Sequence, residues 1–330
     1  MKALVYTGPQ SLDIRDVPDP VPGTDEALIK VEAVGICGSD MHAYLGHDER
    51  RPAPLILGHE AAGTIVTGED SGRRVTINPL VTCMECPSCL SGRTNLCASR
   101  QIISMPPREG AFAQFVAIPR RNLVNVPDGF PIRKAALCEP LACSWHAVKH
   151  AARAFEGAFP SARCLVVGGG AIGLGAALAL HAFGARDVTI TELNPVRRKR
   201  LSELGEFTVI DPGSETLRCV PDVVIDAYGG EASRAFASSA AAPGGVIVHI
   251  GLASGQGGLD MRRVTLQEIT VIGTYTYTMT DFRETFDAMV SGALGSLDWF
   301  ETRELADGAS SFASILGGRI AAPKIVLEPN

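Results

Sequence analysis

Hydrophobic and polar positions along the chain change their pattern near residue 143. Before that point, short β-branched segments are separated by Gly and Pro, and they read KALVYTG, ALIKVEAVGI, AAGTIVTG, RRVTINP and FAQFVAIP. Segments of this length and composition, bounded by turn residues, are typical of β-strands. The first part of the chain is therefore predicted to be all-β, as a small barrel or sandwich.

From about Cys143 onward, strand-like runs alternate with helical ones. CLVVGG precedes AIGLGAALALHAFG, VTIT precedes PVRRKRLSELG, DVVIDAYG precedes EASRAFASSAAA, and GGVIVHIGL and ITVIGTY follow. This alternation predicts βαβ units and a doubly wound parallel sheet, which makes the whole an α/β protein.

The last segment contains a helix at DFRETFDAMVSG, a second near SSFASILGG and a closing strand, KIVLEP. It is too short to fold alone, and a chain of 330 residues exceeds the usual size of one core. We predict a first domain at 1–142, a parallel-sheet domain at 143–275, and a return to the first domain at 276–330.

Composition excludes several classes of function. Hydrophobic residues make up 46% and charged residues 20%, as in globular proteins, and no apolar run approaches the roughly 20 residues that span a bilayer. The start, MKALVYTGPQSLDIRD, lacks the apolar stretch of a signal peptide, so we expect a cytoplasmic protein without a membrane partner. A net charge of -6 argues against a nucleic-acid partner, because phosphate binding needs a basic surface.

A glycine-rich turn follows the apolar strand CLVV. It reads Gly168-Gly-Gly170-Ala171-Ile172-Gly173 and opens a long apolar helix. In this context the first glycine allows a tight turn, the second lets the backbone approach a pyrophosphate, and the third permits close packing of helix on strand. The motif predicts a dinucleotide site at the N-terminus of the helix.

An acidic residue stands where a dinucleotide site needs one. Glu192 ends the next predicted strand, nineteen residues beyond Gly173, and a carboxylate there accepts hydrogen bonds from ribose hydroxyls and repels a 2′-phosphate. This favours NAD, although Arg197 and Arg198 follow closely and could pair the 2′-phosphate of NADP. Gly251, near the end of GGVIVHIGL, is expected to line the nicotinamide side.

Four cysteines crowd into fifteen positions, at Cys83, Cys86, Cys89 and Cys97. Four thiolates satisfy the tetrahedral preference of zinc and leave no open position, which predicts a structural zinc site. An iron–sulfur cluster also uses four thiolates, but the surrounding chain offers no electron-transfer context. A nucleic-acid zinc ribbon lacks the basic and aromatic neighbours that would contact it.

A second set of candidate metal ligands lies outside this lobe. Cys37 occurs in GICGSDMH, His59 and Glu60 in GHE, and Glu139 in CEP. A thiolate, an imidazole and a carboxylate leave a fourth position for water or substrate, as in catalytic zinc sites. Each residue alone is ambiguous, because a single Cys is usually a core residue and a His-Glu pair is usually surface structure.

Taken in order, these motifs resemble the zinc-containing medium-chain dehydrogenases, in the branch of the sorbitol and threonine dehydrogenases. G-x-C-G-S-D-x-H, G-H-E, the four-cysteine lobe, E-P-L and G-x-G-x-x-G cover essentially the whole chain. The resemblance implies a split GroES-like β catalytic domain around a Rossmann domain, with the active site between them. It also implies two zinc ions per chain and NAD-linked oxidation of a secondary hydroxyl.

The resemblance also implies residue roles. Cys37 and His59 are expected to bind the catalytic zinc, and of Glu60 and Glu139 one binds it directly while the other orients a bound water or ligates in another state.

Three further roles follow from the same resemblance. Ser39 is expected to relay the substrate proton through the cofactor ribose to His42. Asp40 is expected behind the zinc, where it fixes the tautomer of His59. A loop imidazole at position 42 and a turn-capping Asp at position 40 remain alternatives.

The substrate class is the least determined feature. Tyr44, His47 and Asp48 are candidates for the pocket, and Thr276 stands where polyol dehydrogenases commonly have an Arg. The expected substrate is a small-molecule alcohol, namely a polyol, a sugar acid or a diol. A threonine-type enzyme would need a carboxylate-binding cation in the cleft, and no Arg or Lys clearly supplies one.

Two further expectations remain. Retention of the whole catalytic set argues against an inactive cofactor-binding scaffold, which would have no physical need of it. We also expect a homodimer or homotetramer, in which ITVIGTY pairs across subunits as a sheet edge.

Overall fold

Residues 1–205 and 207–330 are described by a computed structural model of the chain. The strands are β1 (Lys2–Gly8), β2 (Ser11–Asp16), β3 (Glu26–Gly35), β4 (Leu55–Ile56), β5 (Glu60–Ile65), β6 (Arg74–Ile77), β7 (Leu80–Val81), β8 (Gln101–Ile102), β9 (Phe115–Pro119), β10 (Leu123–Asn125), β11 (Arg163–Val167), β12 (Asp187–Thr191), β13 (Thr208–Ile210), β14 (Val223–Asp226), β15 (Val246–His249), β16 (Thr270–Gly273), β17 (Phe300–Glu304) and β18 (Lys324–Glu328). The helices are α1 (Gly38–Tyr44), α2 (Pro87–Leu90), α3 (Ile132–Ala135), α4 (Cys138–Ala154), α5 (Ala171–Ala182), α6 (Pro195–Ser202), α7 (Glu231–Ala240), α8 (Met261–Leu266), α9 (Met279–Val290) and α10 (Gly308–Leu316).

Strand β3 is the centre of the N-terminal β structure. Its side chains alternate, so that Ala27, Ile29 and Val31 are buried while Lys30 is exposed, which is the period of a strand with one face on a core. It pairs with β5 along one edge, and with β9 and β18 along the other. A three-stranded sheet, β2-β1-β4, packs its buried residues into the same core.

A parallel sheet of six strands forms the second part, in the order β13-β12-β11-β14-β15-β16. Strands β11 and β14 are almost wholly buried because helices cover both faces of the sheet. The order reverses between β11 and β14, and ligands of such sheets bind outside the carboxyl ends of the strands at that point. The alternation in the sequence predicted this sheet, and the prediction is confirmed.

Helix α4 connects the two parts. It packs on α5 and α9, and the predicted boundary between residues 142 and 143 falls inside it. The C-terminal strands β17 and β18 are parallel to each other, and β18 pairs antiparallel with β3. This brings the end of the chain next to the strand that leads into α1. No helix within residues 1–205 and 207–330 is both long and apolar enough to cross a bilayer.

Candidate active site

A cleft of about 510 Å³ separates the loop around α1 from the carboxyl edge of the parallel sheet. Cys37, Ser39 and His42 line it on one side, and Ile172 and Gly251 line it on the other. A substrate and a nicotinamide ring could therefore meet in one cavity. Several other predicted site residues lie outside the lining of this cleft. They are the remaining residues of the glycine-rich turn, the acid Glu192, Arg197 and the four-cysteine lobe.

The start of helix α1 fixes the position of Cys37. Oδ2 of Asp40 accepts a hydrogen bond of 3.0 Å from the backbone N–H of Cys37, which closes the first turn of the helix. The other oxygen of Asp40 lies 3.4 Å from Nδ1 of His59. The sequence Cys-Gly-Ser-Asp therefore orients a thiol and an imidazole with a single carboxylate that is completely buried.

His59 is held on its Nδ1 side. Ser104 Oγ also lies 3.4 Å from Nδ1, which leaves Nε2 as the nitrogen for a metal. Burial lowers the pKa of His59, but the charges of Asp40 and Cys37 outweigh burial and raise the pKa well above its usual value. An imidazole between two anionic groups marks a place that favours positive charge, which fits a divalent cation.

Cys37, His59 and Glu60 form one cluster. One ligand atom from each lies within 4.8 Å of the others. Oε1 of Glu60 accepts a hydrogen bond of 2.7 Å from Lys324, whereas Oε2 is buried and has no hydrogen-bond partner among the described residues. An orphaned carboxylate oxygen costs free energy unless a cation or donor meets it. The donor set and this oxygen both fit zinc.

Glu139 lines the same cleft from the first turn of α4 but stands outside this cluster. Its Oε1 accepts a hydrogen bond of 2.8 Å from the hydroxyl of Tyr277. Burial, with the nearby charge of Glu60, raises the pKa of Glu139 to about 7. Its neighbour Cys138 points away, with its sulfur 3.5 Å from the carbonyl oxygen of Phe282.

The four-cysteine lobe assembles around helix α2. The sulfur of Cys83 lies 3.5 Å from that of Cys97 and 3.9 Å from that of Cys89, and all four sulfurs lie within 4.8 Å of one another. Hydrogen bonds from the backbone N–H groups of Glu85 and Cys86 lower the pKa of Cys83 to about 6, while burial raises the pKa of Cys89 to about 12. Thiols this close cannot all ionise without a cation, and four thiolates fit zinc.

The glycine-rich turn has the geometry that its sequence predicts. Gly168 has a φ of 100°, and a Cβ on Gly173 would lie 1.7 Å from the carbonyl oxygen of Gly168. The helix therefore packs on β11 only because glycine is present at both positions. A Cβ on Gly170 would meet nothing within 4 Å, so the backbone before Ala171 is open to a ligand. This cradle fits a dinucleotide pyrophosphate.

Glu192 lies at the end of β12, beneath this turn, and is 8% exposed. Its carboxylate accepts hydrogen bonds of 3.1 Å from the N–H of Gly169 and 2.7 Å from the N–H of Asn194. Arg197 Nη1 is 3.5 Å away. The acid is thus fixed in place beside the turn and pairs with the arginine. Across the sheet, Gly251 packs on the backbone of Tyr228, with no room for a Cβ.

Two arginines line the cleft, which corrects the expectation that no cation is available there. Arg50 is bonded to Asp48 through Nε (2.8 Å) and Nη2 (3.0 Å), and its side chain is 65% exposed. Arg51 is buried and bonded to Ser39. His47 also lines the cleft, whereas Tyr44 is buried in the core.

Several functional side chains escaped the sequence analysis. Lys324, Tyr277 and Arg51 contact site residues that are distant in the chain. Only Lys324 carried a signal, since a lysine within the apolar strand KIVLEP needs a buried partner. Thr276 lines the cleft, and its buried hydroxyl has no hydrogen-bond partner within the described residues.

Comparison with protein families agrees with this geometry. Residues 23–128 match the alcohol dehydrogenase GroES-like domain, and residues 171–291 match the zinc-binding dehydrogenase family. The predicted GroES-like and Rossmann architecture is thereby confirmed.

Similar proteins cover nearly the whole chain. L-galactonate-5-dehydrogenase of Escherichia coli K12 is 35% identical over 89% of this chain and 88% of its own length. Sorbitol dehydrogenase of Bacillus subtilis is 33% identical over 85% of this chain and 83% of its own. A zinc-binding dehydrogenase structure from Sinorhizobium meliloti, bound to NADP, has a TM-score of 0.87 at 27% identity and covers 99% of both chains.

Proposed function

The chain belongs to the zinc-containing medium-chain dehydrogenases, in the sorbitol and threonine dehydrogenase branch, and on this premise we propose which reaction and residues it uses. It is an oxidoreductase acting on a CH–OH group with zinc and a nicotinamide cofactor. The proposed reaction oxidises a secondary hydroxyl of a polyol, sugar acid or diol to a ketone, with NAD as acceptor. The observation that carries it is the ligand cluster of Cys37, His59 and Glu60, of which Cys37 and His59 line one cleft with Ile172 of the glycine-rich turn.

Two zinc ions per chain are proposed. Cys37, His59 and Glu60 would hold the catalytic ion, and Glu139, which lines the same cleft as Cys37 and His59, would bind it in another state. The place of Glu60 in the ligand cluster supports this order, as does its Oε2, which has no hydrogen-bond partner among the described residues. The second ion would be held by all members of the four-cysteine lobe, namely Cys83, Cys86, Cys89 and Cys97.

When bound, zinc supplies Lewis acidity to the substrate hydroxyl, and the nicotinamide ring supplies the acceptor for the hydride. The protein itself must remove the hydroxyl proton from the cleft. Ser39 Oγ would accept that proton and give its own onward, toward His42 at the same wall of the cleft. Asp40 holds the ring of His59 so that Nε2 stays free for metal.

NAD is proposed over NADP. The carboxylate of Glu192 is fixed by two backbone N–H groups beside the turn, where it would bind ribose hydroxyls and repel a 2′-phosphate. A related structure of the same fold binds NADP, so the fold alone does not select the cofactor and the choice would depend on individual residues such as Glu192.

Among the proposed substrates, Arg50 favours a sugar acid. Asp48 takes its Nε and Nη2 and leaves Nη1 for a further anion, such as a substrate carboxylate. A threonine-type substrate would also need an acid for its ammonium group, and Asp48 is already shared between Arg50 and Arg51. Thr276 offers a hydroxyl to a substrate hydroxyl.

The wider organisation is also a proposal. Residues 1–142 would form the catalytic domain and 143–275 the NAD-binding domain. Residues 276–330 would return to the catalytic domain, and the pairing of β18 with β3 supports this return. A homodimer or homotetramer is supported by β16, which lies at an edge of the parallel sheet. The nine cysteines form no disulfide among the described residues, and a proposed cytoplasmic location would keep those that do not bind zinc reduced.

The test is to follow NADH formation against a panel of aldonic acids, neutral polyols, diols and threonine, with zinc measured in the same preparation. We expect turnover of at least one sugar acid and about two zinc ions per chain. Turnover of none of these compounds, or one zinc ion in the unmodified protein, would contradict the proposal.

A further inference from the structure

We infer that Arg51 is a positioning residue that holds the Ser39 hydroxyl ready for proton transfer. The inference rests on the proposed dehydrogenase reaction, in which Ser39 receives the substrate proton. Arg51 adjoins Arg50 in the chain, but the two side chains have opposite environments, since that of Arg51 is only 2% exposed. Burial of a guanidinium is costly unless its donors are matched.

The donors of Arg51 are matched by two segments of the active site, the first turn of α1 and the turn at Ser104. Nη1 donates a short hydrogen bond of 2.6 Å to the carbonyl oxygen of Ser39, and Nη2 lies 3.4 Å from the Oγ of the same residue. Nε donates at 3.1 Å to the carbonyl oxygen of Ser104. One planar group thus contacts both the backbone and the hydroxyl of the proposed proton acceptor.

The second contact links the relay to the metal site. Ser104, whose backbone has a φ of 72°, places its hydroxyl 3.4 Å from Nδ1 of His59. Arg51 therefore connects the first turn of α1, which carries Ser39, to the turn whose Ser104 contacts His59, a proposed zinc ligand. Asp48, at 3.6 Å, compensates part of its charge.

In the contact between Arg51 and Ser39 Oγ, the guanidinium group can only be the hydrogen-bond donor. Arg has five donors and no acceptor, and it stays protonated in proteins, so it cannot take a proton from Ser39. It occupies one acceptor site of Oγ, and the hydroxyl keeps its other lone pair for the incoming substrate proton while its own proton leaves toward His42. The fixed positive charge also favours the partial negative charge that Oγ carries during this transfer.

A double-mutant cycle tests whether Arg51 acts through Ser39. Ser39→Ala is expected to lower kcat by about 100-fold or more, as loss of a general acid–base group does. Arg51→Met is expected to lower kcat by about 10-fold to 100-fold through misplacement of the hydroxyl. The double variant is expected to be no slower than Ser39→Ala alone, because the guanidinium then has no hydroxyl to position.

Two measurements separate this role from a general structural one. Arg263 donates to the carbonyl oxygens of Ser238 and Ala241, outside the cleft, so Arg263→Met removes similar bonds and is expected to leave kcat unchanged. Zinc content in Arg51→Met is expected to stay at the unmodified level, because His59 keeps its contact with Asp40. Should Arg51→Met fail to fold, Arg51→Lys, which retains a cation with fewer donors, replaces it in both serine backgrounds.

The possible results distinguish failure of the Arg51 inference from failure of the proposed function. An active unmodified enzyme with unchanged kcat in Arg51→Met, or with losses that multiply in the double variant, overturns the role of Arg51 alone. A loss of zinc in Arg51→Met overturns it as well, since the residue would then act through His59. An unmodified enzyme that oxidises no substrate of the panel overturns the proposed function together with this inference.

Discussion

The ammonium group of Lys324 lies 2.7 Å from Oε1 of Glu60, and their side chains are 3% and 0% exposed. The same nitrogen donates at 2.9 Å to the carbonyl oxygen of Ile36. Burial lowers the pKa of Lys324, but the charges of Glu60 and Cys37 outweigh burial and raise the pKa above its usual value. Lys324 thus holds Oε1 of Glu60 in place and fixes this carboxylate beside Cys37 and His59, its neighbours in the metal-ligand cluster.

Replacement of Lys324 by Met should destabilise the protein strongly. It leaves Glu60 buried without its partner, and removal of one member of a buried ion pair costs about 3–5 kcal/mol. Urea unfolding measures the loss. Lys134→Met is the control, because the Lys134–Asp298 pair is largely exposed on the Asp298 side and is expected to contribute under about 1 kcal/mol. Equal losses in the two variants would mean that burial of the Glu60 pair has no special cost.

The sequence motifs predict those parts of the site whose geometry depends only on residues close together in the chain. Cys37 and Asp40 act within one helical turn, and Gly168 and Gly173 act within one strand-to-helix turn, so spacing in the sequence is spacing in the fold. The four-cysteine lobe is local in the same sense.

The supporting contacts depend on topology and could not be predicted. Lys324 is 264 positions from Glu60 and meets it only because β18 pairs with β3, and Tyr277 is 138 positions from Glu139. The burial of Arg51 likewise depends on carbonyl groups from two separate segments, the first turn of α1 at Ser39 and the turn at Ser104.

Zinc analysis should distinguish the two candidate acids. Glu60→Gln is expected to reduce zinc toward about one ion per chain, because an amide is a poorer ligand than a carboxylate and Glu60 belongs to the ligand cluster. Glu139→Gln is expected to keep about two, since Glu139 stands outside that cluster and is bonded to Tyr277. The reverse result would assign direct ligation to Glu139.

Acid should weaken the protein through Asp281. Burial raises the pKa of this carboxyl, but bonds from His146 (2.7 Å), Thr278 (2.6 Å) and Lys149 (2.9 Å) outweigh burial and hold it below its usual range. A depressed pKa stabilises the folded state above the unfolded value of about 3.9, and this stability is lost as pH falls further.

Asp281→Asn should therefore lower the thermal midpoint at pH 7, and the gap to the unmodified protein should narrow as pH falls below about 4. Melting curves between pH 3 and 7 measure it. Asp128→Asn, at an exposed position, is the control and should run parallel to the unmodified protein. A gap that stays constant down to pH 3 would rule out the ionised Asp281 as the source.

Cofactor choice should follow the charge of Glu192. Glu192→Ala is expected to raise the KM for NAD and to relax the preference for NAD over NADP by about 10-fold to 100-fold, given about 1.5–3 kcal/mol for a hydrogen bond to a charged group. Glu192→Gln removes the charge and keeps an acceptor for only one of the N–H groups of Gly169 and Asn194, which bond to different carboxylate oxygens. It should relax the preference with a smaller change in KM than Glu192→Ala. An unchanged preference in both variants would exclude Glu192 as the selector, and Glu203→Ala serves as an exposed control.

Gly35 should be as important to the metal site as a ligand, although it carries no side chain. A Cβ at this position would lie 2.0 Å from Oε2 of Glu60, the oxygen without a partner, and Lys324 prevents the carboxylate from moving away freely. Gly35→Ala is therefore expected to displace the acid and reduce zinc toward about one ion per chain with the parallel sheet intact. Gly38→Ala is the matched control three residues further along, at the start of α1, because its Cβ would meet nothing within 4 Å, and its zinc content should not change. If Gly35→Ala retains both ions, Oε2 of Glu60 is not the oxygen that faces the metal.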